Sequence, residues 1–180
     1  MTLAPGRECG SCSMCCKLIG FEELAKPPGV WCKHVSPGKG CSIHDERPGS
    51  CRNFDCYWLH DANLGPEWKP DKCKFVIWQS PVGAWLLSVD PGNPNTWRQP
   101  QYLRQLRLVS AQLAEQGQAL ILFKGTRMTC ILPDRDVELP KFSDGQAIAV
   151  TMEMIGARTH YEVVILDGAQ EAGQGATSAP

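Results

Sequence analysis

A chain of 180 residues with 18 Lys and Arg against 19 Asp and Glu has a formal net charge of −1, which excludes the concentrated positive charge of a nucleic-acid binder. It is long enough to bury a core of its own, so its 10 cysteines are not needed as staples for a miniature fold. The opening residues, Met1 to Glu8, lack the apolar stretch of a secretory leader, and no run approaches the roughly 20 apolar residues of a membrane span. These features predict a cytoplasmic protein with no membrane or nucleic-acid partner. Thiols stay reduced there, so a dense cysteine pattern points to metal binding or redox chemistry, with a disulfide framework as the alternative.

In chain order, residues 1–8 read as a loose lead-in. Cys9-Gly10-Ser11-Cys12-Ser13-Met14-Cys15-Cys16 then places four thiols in eight residues. Phe21 to Lys26 fits one or two helical turns, stopped by Pro27-Pro28-Gly29. Val30 to Val35 alternates like a strand, Ser36 to Gly40 is a turn, and Cys41 to His44 is the returning strand. Pro48 suits a first helical turn and Ser50 a cap, so a short helix is expected over Cys51 to Leu59, with Cys51, Phe54 and Trp58 on one face. Residues 61–73 read as a joining loop.

The texture then changes. Phe75–Gln79 and Ala84–Val89 predict a hairpin turning at Pro81-Val82-Gly83, and Asp90 to Asn95 breaks the chain. A helix is expected from about Gln99 to Gln116, with Tyr102, Leu103, Leu106, Val109 and Leu113 as its apolar stripe. Ala119–Lys124 and Arg127–Leu132 flank Gly125-Thr126, which suits a type II′ turn. Val137-Glu138-Leu139 is a short segment, and Ala147–Met154 with Thr159–Leu166 makes a last hairpin. The tail from Asp167 has the composition of a disordered segment. The expected class is α+β. A Cys-rich metal-bound module over residues 1–73 packs on a small antiparallel sheet with one main helix over residues 74–166, and residues 167–180 form a tail.

The chemistry lies in the thiols. Soft thiolates suit zinc, Cu(I) and iron–sulfur clusters rather than magnesium or calcium. Cys9, Cys12 and Cys15, three residues apart, resemble the three-ligand loop of a [4Fe–4S] ferredoxin. Adjacent side chains diverge by about 100° in a helix, so Cys15 and Cys16 do not readily share one ion. With Cys32, Cys41, Cys51 and Cys56 the chain offers eight thiols, enough for two four-ligand sites or for one cluster plus structural thiols. Cys73 and Cys130 read as buried thiols. His34, His44 and His60 read as hydrogen-bonding or surface residues, His44 being a reserve ligand, and His160 as a surface residue. Arg47 and Arg52 either steady the sulfurs or only start a helix. The tryptophans read as shielding for the metal and filling between the halves. Met128, Met152 and Met154 read as core.

Taken together, Cys9-x-x-Cys12-x-x-Cys15-Cys16, Cys32 and Cys41-Ser42-Ile43-His44-x-x-Arg47-Pro48-x-x-Cys51-Arg52-x-Phe54-x-Cys56 resemble the CxxCxxCC cysteine-cluster family, the YkgJ-type zinc- or iron-chelating domain of bacteria. The likeness covers about residues 7–60. It implies metal binding through Cys9, Cys12, Cys15, Cys16, Cys32, Cys41, Cys51 and Cys56, with Zn²⁺ or iron, an iron–sulfur cluster included, as cofactor. The expected role is structural or as a carrier, with the α+β half meeting a protein partner. An iron–sulfur redox or sensor protein, or an enzyme with Cys16 or Cys73 at a site between the halves, is the alternative. No phosphate loop, nucleophile elbow or His-Glu-x-x-His motif occurs, which points away from an enzyme.

Overall fold

Glycine and proline punctuate the N-terminal segment so densely that its elements stay short in the computed structural model, which describes residues 2–141 and 145–167. Helix α1 (Cys15–Leu18) is followed by a 3₁₀ turn at Glu22–Leu24, a two-residue ribbon β1 (Val35–Ser36) and β2 (Gly40–Cys41), and helix α2 (Gly49–Arg52). The strand expected over Val30 to Val35 shrinks to its last residue, because Cys32 leaves that line to donate its N–H to the Cys16 carbonyl at 2.9 Å. The helix expected over Cys51 to Leu59 ends at Arg52. The chain extends at Cys56 (φ −84°, ψ 151°), and Tyr57–Leu59 form a separate 3₁₀ turn. Cys51, Phe54 and Trp58 therefore share no helical face. Ser50 caps nothing, its hydroxyl and N–H both donating to Glu23.

The lead-in is anchored rather than loose. Ala4 is buried and donates its N–H to Leu59 at 2.8 Å, and the Arg7 guanidinium donates to the Leu64 carbonyl. The joining segment is also ordered, with a 3₁₀ turn at Pro66–Trp68 and helix α3 (Pro70–Cys73), each opened by a proline whose missing N–H costs nothing in a first turn.

The second half follows its apolar patterning closely. Strands β3 (Phe75–Gln79), β4 (Trp85–Val89), β5 (Leu120–Lys124), β6 (Arg127–Ile131) and β7 (Asp136–Leu139) lie side by side in that order. Helix α4 (Pro100–Ala114) connects β4 to β5, and those two strands run parallel while the other pairs are antiparallel. The sheet is therefore mixed, not antiparallel throughout. A helix carries the chain back to the end where β4 began, and parallel pairing requires such a crossover. Gly125 takes φ +62° and Thr126 has no positive φ, as a type II′ turn demands.

One face of this sheet presents Phe75, Ile77, Leu87, Val89, Leu120, Leu122 and Ile131 to Tyr102, Leu106 and Leu113 of α4 and to Trp58, Trp68 and Trp97. The other face is shared. Met14, Leu18, Ile19 and Phe21 of the cysteine-rich segment cover Val76. The hairpin of β8 (Ala147–Ile155) and β9 (Arg158–Leu166) covers Ile121, Cys130 and Leu132 through Val150. Beyond that contact the hairpin projects, and Met152 and Met154 are 43% and 65% exposed. The expectation that they are core fails because the alternation continues past the end of the surface it packs on. Met128 does pack, half-buried. The disordered tail expected from Asp167 lies outside the described residues beyond Asp167 itself, whose carboxylate accepts from Gln146 at 2.7 Å.

Candidate metal centre

A glycine in the left-handed region lets the first thiol pair form. Gly10 has φ +53°, and Cys12 donates its N–H to the Cys9 carbonyl at 3.0 Å, so Cys9 and Cys12 close one tight turn. Met14 then opens α1, which carries Cys15 and Cys16 on successive positions with their thiols still within reach of each other. The Cys16 carbonyl accepts the Cys32 N–H, which brings the two segments together. Cys41 sits on the ribbon opposite Val35, Cys51 lies inside α2, and Cys56 begins the 3₁₀ turn.

The eight thiols fall into two neighbourhoods. Cys9, Cys12, Cys15 and Cys56 line a cavity of about 20 Å³, closed by Phe54, Trp58, Leu59, Pro70 and Val76, with Lys69 beside it. Burial raises the thiols of Cys9 and Cys12 above their ordinary value and pushes Cys56 up to about 12. Amide N–H groups oppose this: those of Met14 and Asp71 act on Cys12, and those of Leu59 and Trp58 on Cys56. Met14 and Asp71 stand at the starts of α1 and α3, where N–H groups have no partner within the helix.

The second neighbourhood gathers around Cys51, which feels Cys16, Cys41 and Cys32 and is raised first by burial. Cys15 donates its S–H to Cys16, which raises the Cys15 thiol well above its usual value and lowers Cys16 to about 7, with Lys26 and Arg47 assisting. Lys26 is 7% exposed, and its Nζ donates to the carbonyls of Lys17, Ile19 and Pro27. Burial depresses its ammonium while Cys32, Cys16, Cys15 and Cys51 favour its charge. Neither Lys26 nor the amide donors stand out in the sequence, since nothing in its pattern marks a lysine that folds inward.

The remaining candidates lie apart. His44 is exposed and contacts Asp45 at 3.2 Å. The half-buried His34 uses its carbonyl to hold Ser42. His60 holds the Thr2 carbonyl through Nδ1 at 3.1 Å, with Nε2 3.6 Å from Asp55. His160 is exposed. Arg47 acts on Cys9, Cys16 and Cys51 through its charge, and the exposed Arg52 donates to the Arg47 carbonyl at 2.8 Å. Trp58 is enclosed between the cations of Arg7 and Lys69, at 4.1 and 5.4 Å from its ring.

Cys73 is fully buried, its S–H within reach of the Trp68 and Phe75 carbonyls at 3.3 and 3.2 Å, and burial pushes its thiol up to about 12. Cys130 is fully buried in β6 and is likewise raised to about 12 by burial.

All ten cysteines are free thiols. Among the described residues, no group of three or more His, Cys, Asp or Glu side chains is placed so that it could hold a metal ion. No helix among them is long and apolar enough to cross a membrane. In comparisons with known proteins the chain matches no family model, no curated protein and no solved structure.

Proposed function

We propose that this protein chelates a soft metal ion through two sets of four thiols, Cys9, Cys12, Cys15 and Cys56 in one and Cys16, Cys32, Cys41 and Cys51 in the other. The observation that carries this reading is the convergence of the first four on one small cavity, with backbone N–H groups already aimed at two of the sulfurs. N–H donation to a ligand sulfur is the outer-shell support that thiolate sites use. The donor chemistry fits Zn²⁺ or iron. A cavity of about 20 Å³ has room for a single ion, which favours one ion per set. Four thiolates would close the coordination shell, so the metal would serve to hold the fold or be carried rather than to activate water. The α+β half is then free to meet a protein partner. The spacing of Cys9, Cys12 and Cys15 keeps an iron–sulfur cluster as a second reading, which requires the cavity to open.

Elemental analysis and an absorption spectrum, on protein purified without oxygen or chelator, separate these readings. Two zinc ions per chain and no visible colour support the first. Iron with sulfide and a broad visible band replaces it with the second. A metal-free protein whose ten thiols all titrate, and whose thermal unfolding ignores added Zn²⁺ or iron, overturns both.

A further inference from the structure

The face of the sheet opposite α4 has two covers. Val76 and Trp78 lie under the cysteine-rich segment, and Ile121 and Cys130 lie under the β8–β9 hairpin. Between the covers opens a cavity of about 590 Å³, within the range of small-molecule sites. Trp78, Leu86, Ser88 and Phe123 form its floor. The register sets Trp78 opposite Leu86 and Ser88 opposite Phe123, so all four side chains stand on this one face. Leu18, Pro28 and the exposed Val30 wall it on one side, and Gly125 and Thr126 of the β5–β6 turn on another.

No charged side chain is among the lining residues. Lys17 and Asp90, next in sequence to Leu18 and Val89, are spent on each other at 2.6 Å. Strand alternation turns Lys124 and Arg127 to the other face of the sheet from Phe123. One polar group interrupts the apolar floor. Ser88 is 9% exposed, and its Oγ accepts the Trp78 Nε1–H at 3.1 Å, while its own O–H has no acceptor among the described residues. A hydroxyl donor left over in an apolar cavity is satisfied by a ligand that brings an acceptor. A charge brought to the same place would lose its water and find no partner.

We propose that this cavity is a binding site for a neutral aliphatic carbonyl compound, a ketone or an acyl ester, with its chain against Trp78, Leu86 and Phe123 and its oxygen accepting the Ser88 O–H. The site uses no thiol. It stands whether or not the thiols hold metal.

The test is a calorimetric titration of the full chain, as isolated, with octan-2-one and with octanoate at neutral pH, ionic strength being matched with sodium chloride. The expected result is saturable binding of the ketone, at least about tenfold tighter than binding of octanoate. Ser88→Ala is expected to weaken the ketone several-fold. Ser88→Thr, which keeps the hydroxyl, retains most of the affinity and controls for misfolding. Val30→Arg, at the exposed rim, is expected to tighten octanoate several-fold by giving its carboxylate a partner at the mouth. Val82→Arg, at the exposed β3–β4 turn and outside the lining, leaves octanoate at the parent value. Octanoate bound as tightly as the ketone would show contact without selection for a neutral ligand and overturn the proposal. So would the absence of saturation by about 5 mM octan-2-one, a Ser88→Ala variant that binds the ketone as the parent does, or equal octanoate affinities in the two arginine variants.

Discussion

Asp90 ends β4 and meets Lys17 of α1 at 2.6 Å, the one ion pair that ties the cysteine-rich segment to the sheet among the described residues. Burial alone would raise its carboxyl. The Lys17 ammonium, the Gly92 N–H and the Asn93 amide outweigh that and hold it below its ordinary value of 3.8. A carboxylate depressed in the folded state stabilises above the unfolded value and loses that contribution as pH falls through the folded one. Asp90→Asn is therefore expected to lower stability by about 1–3 kcal/mol near pH 7. The gap from the parent in thermal midpoint should hold above the ordinary value of 3.8 and narrow as the pH falls below it, and a constant gap would remove the ionic explanation. Lys26 offers a different residue-scale test. Lys26→Met keeps the stem but leaves three carbonyls without their donor, and is expected to cost about 2–3 kcal/mol by urea unfolding. Its lysine was invisible in the sequence, because inward folding of a charged side chain depends on carbonyls that only the folded loop collects.

At the scale of the element, α4 was legible because its apolar stripe repeats at helical spacing over four turns, and Tyr102, Leu106 and Leu113 of that stripe are buried, along with Ser110 and Ala114. Leu106 is fully buried against the sheet, so Leu106→Ala is expected to cost about 2–5 kcal/mol, read from denaturant midpoints with the slope unchanged. The hairpins were legible for the same reason, through alternation and a turn glycine. The elements around the cysteines were not. The expected helix over Cys51 to Leu59 rests on a spacing of Cys51, Phe54 and Trp58 that the fold uses otherwise. Phe54 meets Phe21 edge to face and lies tilted against Trp78, while Trp58 turns inward to donate its Nε1–H to the Gly65 carbonyl at 3.0 Å. A stretch as short as Cys51 to Leu59 is too short for periodicity to outweigh tertiary contacts.

At the scale of the molecule, three bodies of apolar contact lie on the sheet, one of them under the β8–β9 hairpin. Of the other two, the first is built on α4 and the second on the cysteine-rich segment over Val76. If the thiols hold metal, its removal should loosen the second without dissolving the first. Hydrogen exchange after chelation is expected to quicken at the Cys16 and Cys32 amides, while Leu87 and Leu122 stay protected. Uniform exchange across both would mean the metal supports nothing local. The sequence by itself determined the α+β class, the main helix, the strand hairpins and the eight thiols offered as ligands, because periodicity, turn residues and soft donors are local chemistry. Only the tertiary structure decided that β4 and β5 run parallel and that Cys15 lines one cavity with Cys9, Cys12 and Cys56. It alone set Phe54 between Phe21 and Trp78, and Tyr57 against Trp85. Each depends on which distant segments meet, and that is set by how the faces pack and not by what any stretch prefers alone.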